Sequence, residues 1–400
     1  MAKKHFKGLS LLFALLMICS TSLLLTPAVG AVSANATPAF ATSPSVPFPT
    51  DAEEDAARAT LSAAVTKDIK DLRVHVGGVP FGVKFMTDGI FVVGFCDVRT
   101  ASGTVNPASA AGLRLGDVIR EANGKKLSCA AELTTLTEGC KGKSLSLVCS
   151  RGGKEFTVTL TPALSAEEGR YKTGLYVRDS GAGIGTVTFV LPRSGAFAGL
   201  GHGICDAESG NLIPMERGSV VNVTISGVVK GLPGSPGEVK GFFKSGKTGT
   251  LLGNTDCGVY GVLAELPDGI NKKTVAVASR EELKEGKAYL SCTLDDGVRR
   301  QYEVEISNIK RDSLTNKCFT VKVTDKELLA KTGGIIQGMS GSPIIQNGKL
   351  VGAVTHVLIN DPTTGYGIFI ENMLNQMEEL CSISIDFIKI LSYIGWVFSN

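Results

Sequence analysis

Short apolar segments dominate the second half of the chain, and they have the composition of β-strands. Segments at 185–190, 220–225 and 319–323 are rich in valine, isoleucine, threonine and phenylalanine. These residue types are enriched in strands, and Gly, Pro and Asn turns separate the segments. No long amphipathic helical pattern interrupts them. The spacing predicts an all-β sandwich or a pair of barrels between about residues 173 and 379.

A second compact module is predicted upstream, between about residues 76 and 162. Its Asn123-Gly124 pair is a hairpin turn signal. Apolar segments predict strands at 80–85, 89–95, 145–150 and 155–161, with a helix at 129–137.

This module carries a recognisable motif. Residues 108–119 follow the pattern A-x-x-A-G-L-x-x-G-D-x-I, and Asn-Gly-Lys follows at 123–125. The pattern resembles PDZ domains, and we assign residues 73–163 to a PDZ domain on that basis. PDZ domains bind peptides by strand addition, and their main-chain amides capture a terminal carboxylate. The resemblance implies that the carboxylate-binding loop consists of Pro80, Phe81, Gly82 and Val83. The alternative is a small module with only a packing role.

The N-terminus has the features of a targeting segment. Lysines precede a mostly apolar stretch at 9–25, and small residues at 31–34 form a plausible cleavage site. We expect residues 1–35 to be a signal peptide or a retained signal anchor, which exports the rest of the chain and contacts the membrane. Residues 36–72 are rich in Pro, Ser, Thr and Ala and are predicted to be a flexible linker.

Composition narrows the functional class. The chain has 400 residues, of which 43% are apolar and 6% aromatic, and its net charge is +3. This composition favours two or three soluble domains, and the charge is too small to indicate nucleic-acid binding. The ten cysteines include no C-x-x-C pair. We therefore expect neither a metal site nor a cofactor. Residues 381–400 form an apolar tail of unknown role that is too short and too polar for a confident membrane span.

The hexapeptide at 338–343, Gly-Met-Ser-Gly-Ser-Pro, is typical of a nucleophile turn. Glycines near Ser340 allow a sharp bend and a close approach of substrate to the main chain. An acyl-transfer enzyme needs an exposed hydroxyl and backbone N–H groups that point at the developing oxyanion. The N–H groups of Gly338 and Ser340 are the candidates for that oxyanion hole. The alternative is an ordinary Gly/Ser turn between two strands.

Two histidines are candidates for the general base. His202 lies in a glycine-rich segment after an apolar strand, and the glycines leave space for a substrate. His356 lies on the strand that follows the nucleophile turn. We prefer His202, because a single histidine within a strand is more often structural.

Three aspartates, Asp206, Asp325 and Asp361, are candidates for the carboxylate that orients the base. Asp325 lies at the end of a predicted strand, shortly before the nucleophile turn. It also fits the N-cap of a short helix, which is its structural alternative.

Longer runs of sequence resemble a known family. They lie at 174–189, 199–206, 234–241 and 323–368, and the last contains the nucleophile turn. The chain is similar there to the SpoIVB-type sporulation serine peptidases of endospore-forming bacteria. The resemblance implies a mostly β protein in which the PDZ domain precedes a trypsin-like double β-barrel at 170–380. It also implies that His202 is the base, Asp325 its orienter and Ser340 the nucleophile.

The resemblance further implies a biological role. Family members are exported into the space between the forespore and the mother cell, where they cleave themselves. They then cleave a SpoIVFA-like regulator that restrains a membrane protease, and active sigma-K is released. The PDZ domain is implied to hold the protein inactive and to engage the target. The alternatives are a catalytically inactive PDZ scaffold and an HtrA-like quality-control protease, whose usual order of protease then PDZ is reversed here.

Overall fold

The computed structural model describes residues 46–64, 71–207 and 209–381. The predicted signal segment, parts of the predicted linker and the tail from 382 onward lie outside these residues. Across the described ranges, no helix is long and apolar enough to cross a lipid bilayer.

The protein is mostly β. The helices are α1 (Asp51–Ala64), α2 (Pro107–Ala110), α3 (Ala130–Gly139) and α4 (Lys326–Thr332), and residues 370–381 are also helical. The strands of the first half are β1 (Arg73–Val76), β2 (Pro80–Phe95), β3 (Val98–Thr100), β4 (Gly103–Val105), β5 (Val118–Ala122), β6 (Lys125–Lys126), β7 (Leu145–Arg151), β8 (Lys154–Leu160), β9 (Ala163–Leu164), β10 (Tyr171–Lys172), β11 (Leu175–Val190) and β12 (Ala196–Gly199).

The strands of the second half are β13 (Met215–Val221), β14 (Val223–Val229), β15 (Glu238–Phe243), β16 (Gly249–Thr255), β17 (Gly258–Leu263), β18 (Val275–Ala276), β19 (Gly286–Thr293), β20 (Arg299–Ser307), β21 (Phe319–Val323), β22 (Pro343–Gln346), β23 (Lys349–Leu358) and β24 (Asp361–Phe369).

Six antiparallel strands close a first barrel. Strand β2 pairs with β11 and with β13, and the ring runs from β11 through β12, β17 and β16 to β13. Its core is aromatic and aliphatic, with Phe81, Phe85, Phe197 and Leu251 buried against one another. Closure of the ring leaves these six strands paired on both sides, and the same sheet continues outward through β1 and β5.

A second barrel follows in the chain, with the closed strand order β19-β20-β21-β24-β23-β22. Buried side chains such as Leu290, Val304, Val321 and Val354 fill its interior. The alternating apolar positions of the sequence supply these inward-facing residues. The two barrels confirm the predicted mostly β, double-barrel fold.

The PDZ-like module, which we define as residues 90–178, is inserted into the first barrel. Strands β2 and β11 are each 16 residues long and run through both units. Val83 pairs with Gly183 inside the barrel, whereas Phe95 pairs with Leu175 inside the module. The module has its own core around Ile90, Ile119 and Leu147. The sequence marks this junction only by Thr87, Asp88 and Gly89, where the strands predicted at 80–85 and 89–95 are separated. That break does not reveal that one continuous strand serves both units.

Part of the predicted flexible linker is folded against the first barrel. Thr50 and Glu53 form a capping box, in which the Thr50 N–H donates to the Glu53 carboxylate at 2.7 Å. The Glu53 N–H donates back to Thr50 Oγ1 at 3.3 Å. Helix α1 then buries Ala57 and Leu61 in the same core as strands β12 and β17. The capping box was visible in the sequence, and it would have predicted this helix.

Candidate catalytic site

The nucleophile turn lies between α4 and β22, at the edge of the second barrel. The Ser340 hydroxyl donates a hydrogen bond to the backbone carbonyl of Thr355 at 2.7 Å. Gly338 and Gly341 both have left-handed backbone angles, with φ of 94° and 91°. A Cβ atom at Gly341 would lie 2.1 Å from the Thr186 carbonyl oxygen, so the position has no room for a side chain.

Two N–H groups of the turn have no acceptor among the described residues. The Met339 N–H donates to the Ile336 carbonyl, and the Gly341 N–H donates to the Val354 carbonyl. Within the described chain, the N–H groups of Gly338 and Ser340 donate to no protein atom. Backbone donors are almost always paired when buried, so these partly exposed groups are free to bind an oxygen atom from solvent or substrate.

Strand β11 of the first barrel holds the turn in place. The Thr186 N–H donates to the Ser340 carbonyl at 3.0 Å, and its hydroxyl donates to the Gly338 carbonyl at 2.8 Å. The Thr188 hydroxyl donates to the Gly341 carbonyl at 2.8 Å. These threonines support the candidate nucleophile turn, and the sequence did not reveal them because they lie about 150 positions from their partners.

His202 follows β12 of the first barrel. Leu200 and Gly201 have φ of 65° and 67°, and two consecutive left-handed residues turn the chain sharply before the histidine. The His202 Nδ1 atom lies 2.8 Å from the Gly203 carbonyl oxygen. Because a carbonyl only accepts, Nδ1 carries the proton of the neutral imidazole, and the lone pair is on Nε2. Burial lowers the His202 pKa, and the Gly203 carbonyl partly opposes this shift.

His356 lies beside His202. The two ring centroids are 4.7 Å apart, with an angle of 37° between the ring planes. The Nδ1 atom of His356 is buried and has no hydrogen-bond partner in the described structure. Burial, the neighbouring His202 and Lys317 together lower the pKa of His356 to about 4.

Asp325 makes contacts other than those expected of an orienting carboxylate. It is the N-cap of α4, where its Oδ1 accepts from the Leu328 N–H at 3.0 Å. Its Oδ2 accepts from the Glu303 N–H at 3.4 Å. The residue that holds His202 Nδ1 is instead Gly203. The structure thus favours the helix-cap alternative for Asp325.

The other two aspartates have partners of their own. Asp206 is buried, pairs with Arg178 at 2.7 Å and accepts from the Ser209 N–H. Asp361 accepts hydrogen bonds from Thr363 and Thr364.

The residues expected to form the carboxylate-binding loop lie inside a strand. Pro80–Val83 is the start of β2, and Phe81 and Val83 are 4% and 2% exposed in the core of the first barrel. A Cβ atom at Gly82 would lie within 3 Å of Val221 and Phe243. These residues cannot close around a peptide terminus. The prediction that they form the carboxylate-binding loop was therefore wrong.

An open groove does exist in the PDZ-like module. It lies between α3 and the start of β11, has a volume of about 370 Å³, and is lined by Leu133, Thr137, Gly174 and Tyr176 among others. Tyr176 is 58% exposed. A strand edge opposite a helix is the arrangement in which PDZ domains take up peptides.

The fold and the site define a class of protein. A serine turn on one six-stranded barrel lies near a histidine loop on the other, since His202 packs against His356 and Ser340 bonds to the neighbouring Thr355. Two barrels that bring a serine and a histidine together are the arrangement of a trypsin-like serine peptidase. Residues 169–374, just over half of the chain, match the SpoIVB peptidase S55 family. The chain belongs to the SpoIVB peptidase S55 family, which confirms the resemblance seen in the sequence, and it is a serine peptidase.

Individual proteins resemble shorter parts of the chain. LL2128 of Lactococcus lactis subsp. lactis (strain IL1403), whose name describes a zinc metalloprotease, is 41% identical over 69 residues. That stretch is 17% of this chain, and the chain spans 16% of the length of LL2128.

Solved structures show more distant likenesses. The PDZ domain of the SdrC-like protein Lmo2051 from Listeria monocytogenes is 20% identical, with a TM-score of 0.19, and the match covers 22% of this chain and 87% of that domain. The Rv3671c protease from M. tuberculosis in its active form is 15% identical, with a TM-score of 0.29, over 50% of this chain and 74% of Rv3671c.

Proposed function

We propose that the protein is an endopeptidase in which Ser340 is the nucleophile and His202 the general base. The observation that carries the proposal is the pair of N–H groups at Gly338 and Ser340 that have no acceptor in the described structure, in the same turn as a partly exposed serine. Donors fixed in advance at the position of the developing oxyanion are the largest single contribution in many acyl-transfer enzymes.

The reaction requires one rearrangement of the resting site. The Ser340 hydroxyl leaves the Thr355 carbonyl, and its proton passes to Nε2 of His202 as Oγ attacks the peptide carbonyl. The Gly338 and Ser340 N–H groups stabilise the oxyanion. The protonated His202 then gives its proton to the leaving amine, and water hydrolyses the acyl-enzyme. Throughout, the Gly203 carbonyl accepts from Nδ1 and keeps the imidazole in the required tautomer.

The test uses serines of the same turn. Wild type, Ser340→Ala and Ser342→Ala are expressed as full chains and treated with a fluorophosphonate probe. Ser342 is a matched control, because its buried hydroxyl has no hydrogen-bond partner in the described structure. We expect wild type and Ser342→Ala to be labelled and Ser340→Ala to be unlabelled. Equal labelling of Ser340→Ala, or no labelling of any chain, would refute the assignment and favour an inactive scaffold.

We further propose the sporulation role of the family for this chain: self-processing, followed by cleavage of a SpoIVFA-like regulator that leads to sigma-K activation. Membership of the family supports this role. Incubation with the purified regulator should yield discrete fragments with wild type and none with Ser340→Ala. Unselective digestion of unfolded casein, with the regulator left intact, would instead support an HtrA-like quality-control protease.

The proposed role places the enzyme outside the cytoplasm, between the forespore and mother-cell membranes. The N-terminal segment at 1–35 supports this placement through its basic and apolar pattern. Fractionation of cells that express the full chain, compared with a chain lacking residues 1–35, tests both export and membrane contact. Recovery of both chains in the cytosol would contradict the placement.

We also propose that peptide termini bind in the groove between α3 and β11. The volume and the exposed strand edge of this groove support the proposal. Binding of a library of C-terminal peptides should be lost in Tyr176→Asp, which changes a 58% exposed residue of the groove, and retained in Tyr289→Asp, which changes an exposed tyrosine of the second barrel. Equal binding by the two variants would contradict the proposal.

A further inference from the structure

His356 is a half-buried polar side chain beside His202, and the proposed reaction gives it no role. It lies on β23, where the pairing with β24 is irregular between Val354 and Val357. β-Bulges of this kind redirect side chains and are frequent beside active sites. Here the irregularity brings the His356 ring to 4.7 Å from the His202 ring.

The described structure shows one hydrogen bond on the general base. The bond from His202 Nδ1 to the Gly203 carbonyl fixes one corner of the imidazole. That bond does not by itself fix the direction of the ring, which packing must then hold. In a Ser-His-Asp triad, the carboxylate fixes both the tautomer and the direction of the ring. A second contact is needed to fix the direction of Nε2.

We propose that His356 is a positioning residue for His202, and that ring-to-ring packing holds the Nε2 atom of the base toward Ser340. The inference rests on the proposed function, because it assumes that His202 is the base. The tilted contact and the 4.7 Å separation are within the range for attractive aromatic pairs.

His356 is suited to a packing role and unsuited to proton transfer. Its Nδ1 is buried without a partner, and the Ser340 hydroxyl bonds to the carbonyl of Thr355. The ionisable groups that face it, His202 and Lys317, both oppose its protonation. A neutral ring at this position adds no positive charge that would oppose protonation of His202 by the serine.

The test compares three substitutions in the full chain: His356→Phe, His356→Gln and His356→Ala. Phenylalanine keeps a ring, glutamine keeps a polar group, and alanine keeps neither. Hydrolysis of p-nitrophenyl acetate gives kcat and KM, and the rate of fluorophosphonate labelling reports the reactivity of Ser340. Melting curves show whether each variant is folded.

We expect His356→Ala to lower kcat by about 10²-fold with little change in KM, which is the scale of a misplaced catalytic group. His356→Gln should be similarly impaired, and His356→Phe should recover most of the lost kcat. Phenylalanine should also fold at least as stably as wild type, because it removes a buried polar atom that has no partner.

Two results would overturn the inference. If His356→Ala labels at the wild-type rate, the ring does not position the base. If glutamine is active and phenylalanine is not, His356 acts through a hydrogen bond instead. Failure of the proposed function looks different, since wild type itself would then take no label or His202→Ala would be as active as wild type.

Discussion

The most informative perturbation is a series at Asp325, because its two possible roles predict opposite results. As a helix cap, Asp325 accepts from the N–H groups of Leu328 and Glu303. As the orienter of a triad, it would need its negative charge beside His202. Asparagine and serine keep the cap but lose the charge, whereas alanine loses both. We therefore expect Asp325→Asn and Asp325→Ser to behave alike and Asp325→Ala to differ.

The magnitudes follow from the contacts. Replacing an N-cap aspartate by alanine costs about 1 kcal/mol, with a range of about 0.5–2. The loss of the second contact, to the Glu303 N–H, adds up to about 1 kcal/mol. Asparagine keeps the capping oxygen and loses the charge at the helix N-terminus, which is worth about 0.3–1 kcal/mol. It also loses the contact with the Glu303 N–H, because its amide nitrogen is a donor. In a triad, by contrast, the exchange of aspartate for asparagine lowers kcat about 10⁴-fold.

Helix α4 connects the cap to the active site. It ends at Gly333, and the chain then runs directly into the nucleophile turn. The Thr332 carbonyl accepts from Gly231, and the Ile335 N–H donates to Pro362, so the far end of α4 is anchored in the fold. Asp325→Ala is therefore expected to lower the stability of the protein. It should also lower activity, because a disturbed α4 would displace the nucleophile turn.

Denaturant unfolding and hydrolysis of p-nitrophenyl acetate measure both effects on the same preparations. We expect asparagine and serine to retain kcat within about tenfold, since neither disturbs the cap. A loss of 10³-fold or more in a fully folded Asp325→Asn variant would refute the reasoning. That result would show that the carboxylate reaches His202 in the working enzyme.

Three further predictions follow from the packing and the pKa shifts. Gly341→Ala should abolish activity, because its Cβ would lie 2.1 Å from the Thr186 carbonyl oxygen. The control is Gly348→Ala, where φ is also positive at 76° but no atom lies near the Cβ position. This control should remain active and lose only about 1–3 kcal/mol of stability. Activity in Gly341→Ala would show that the turn is not packed against β11 as described. Leu61→Ala should destabilise the protein by about 2–5 kcal/mol in denaturant unfolding, because α1 is docked, whereas the 72% exposed Leu314→Ala should have almost no effect. Equal stability of both variants would mean that α1 is detached. Since the pKa of His356 is about 4 in the folded protein and its usual value is 6.5, the folded state binds fewer protons between these values. Stability should therefore fall as the pH drops from 6.5 to 4, and His356→Phe should flatten that part of the curve.

The sequence determined the features that depend on neighbouring residues. Segments rich in β-branched and aromatic residues, separated by turn residues, predicted many of the strands, and the hexapeptide around Ser340 predicted a turn with free N–H groups. The capping signal at Asp325 was also local, and it was visible beside the catalytic interpretation. Each of these features depends on backbone preferences within a few residues, so it can be predicted from the local sequence.

Only the tertiary structure decided which distant groups meet. It placed the Thr355 carbonyl on Ser340, the ring of His356 against His202, and Pro80–Val83 inside a barrel strand instead of a binding loop. Strand register and barrel closure set these contacts, and both result from many weak interactions between residues far apart in the chain. A sequence pattern specifies which residues face a core, but the packing of two closed sheets decides which core it is.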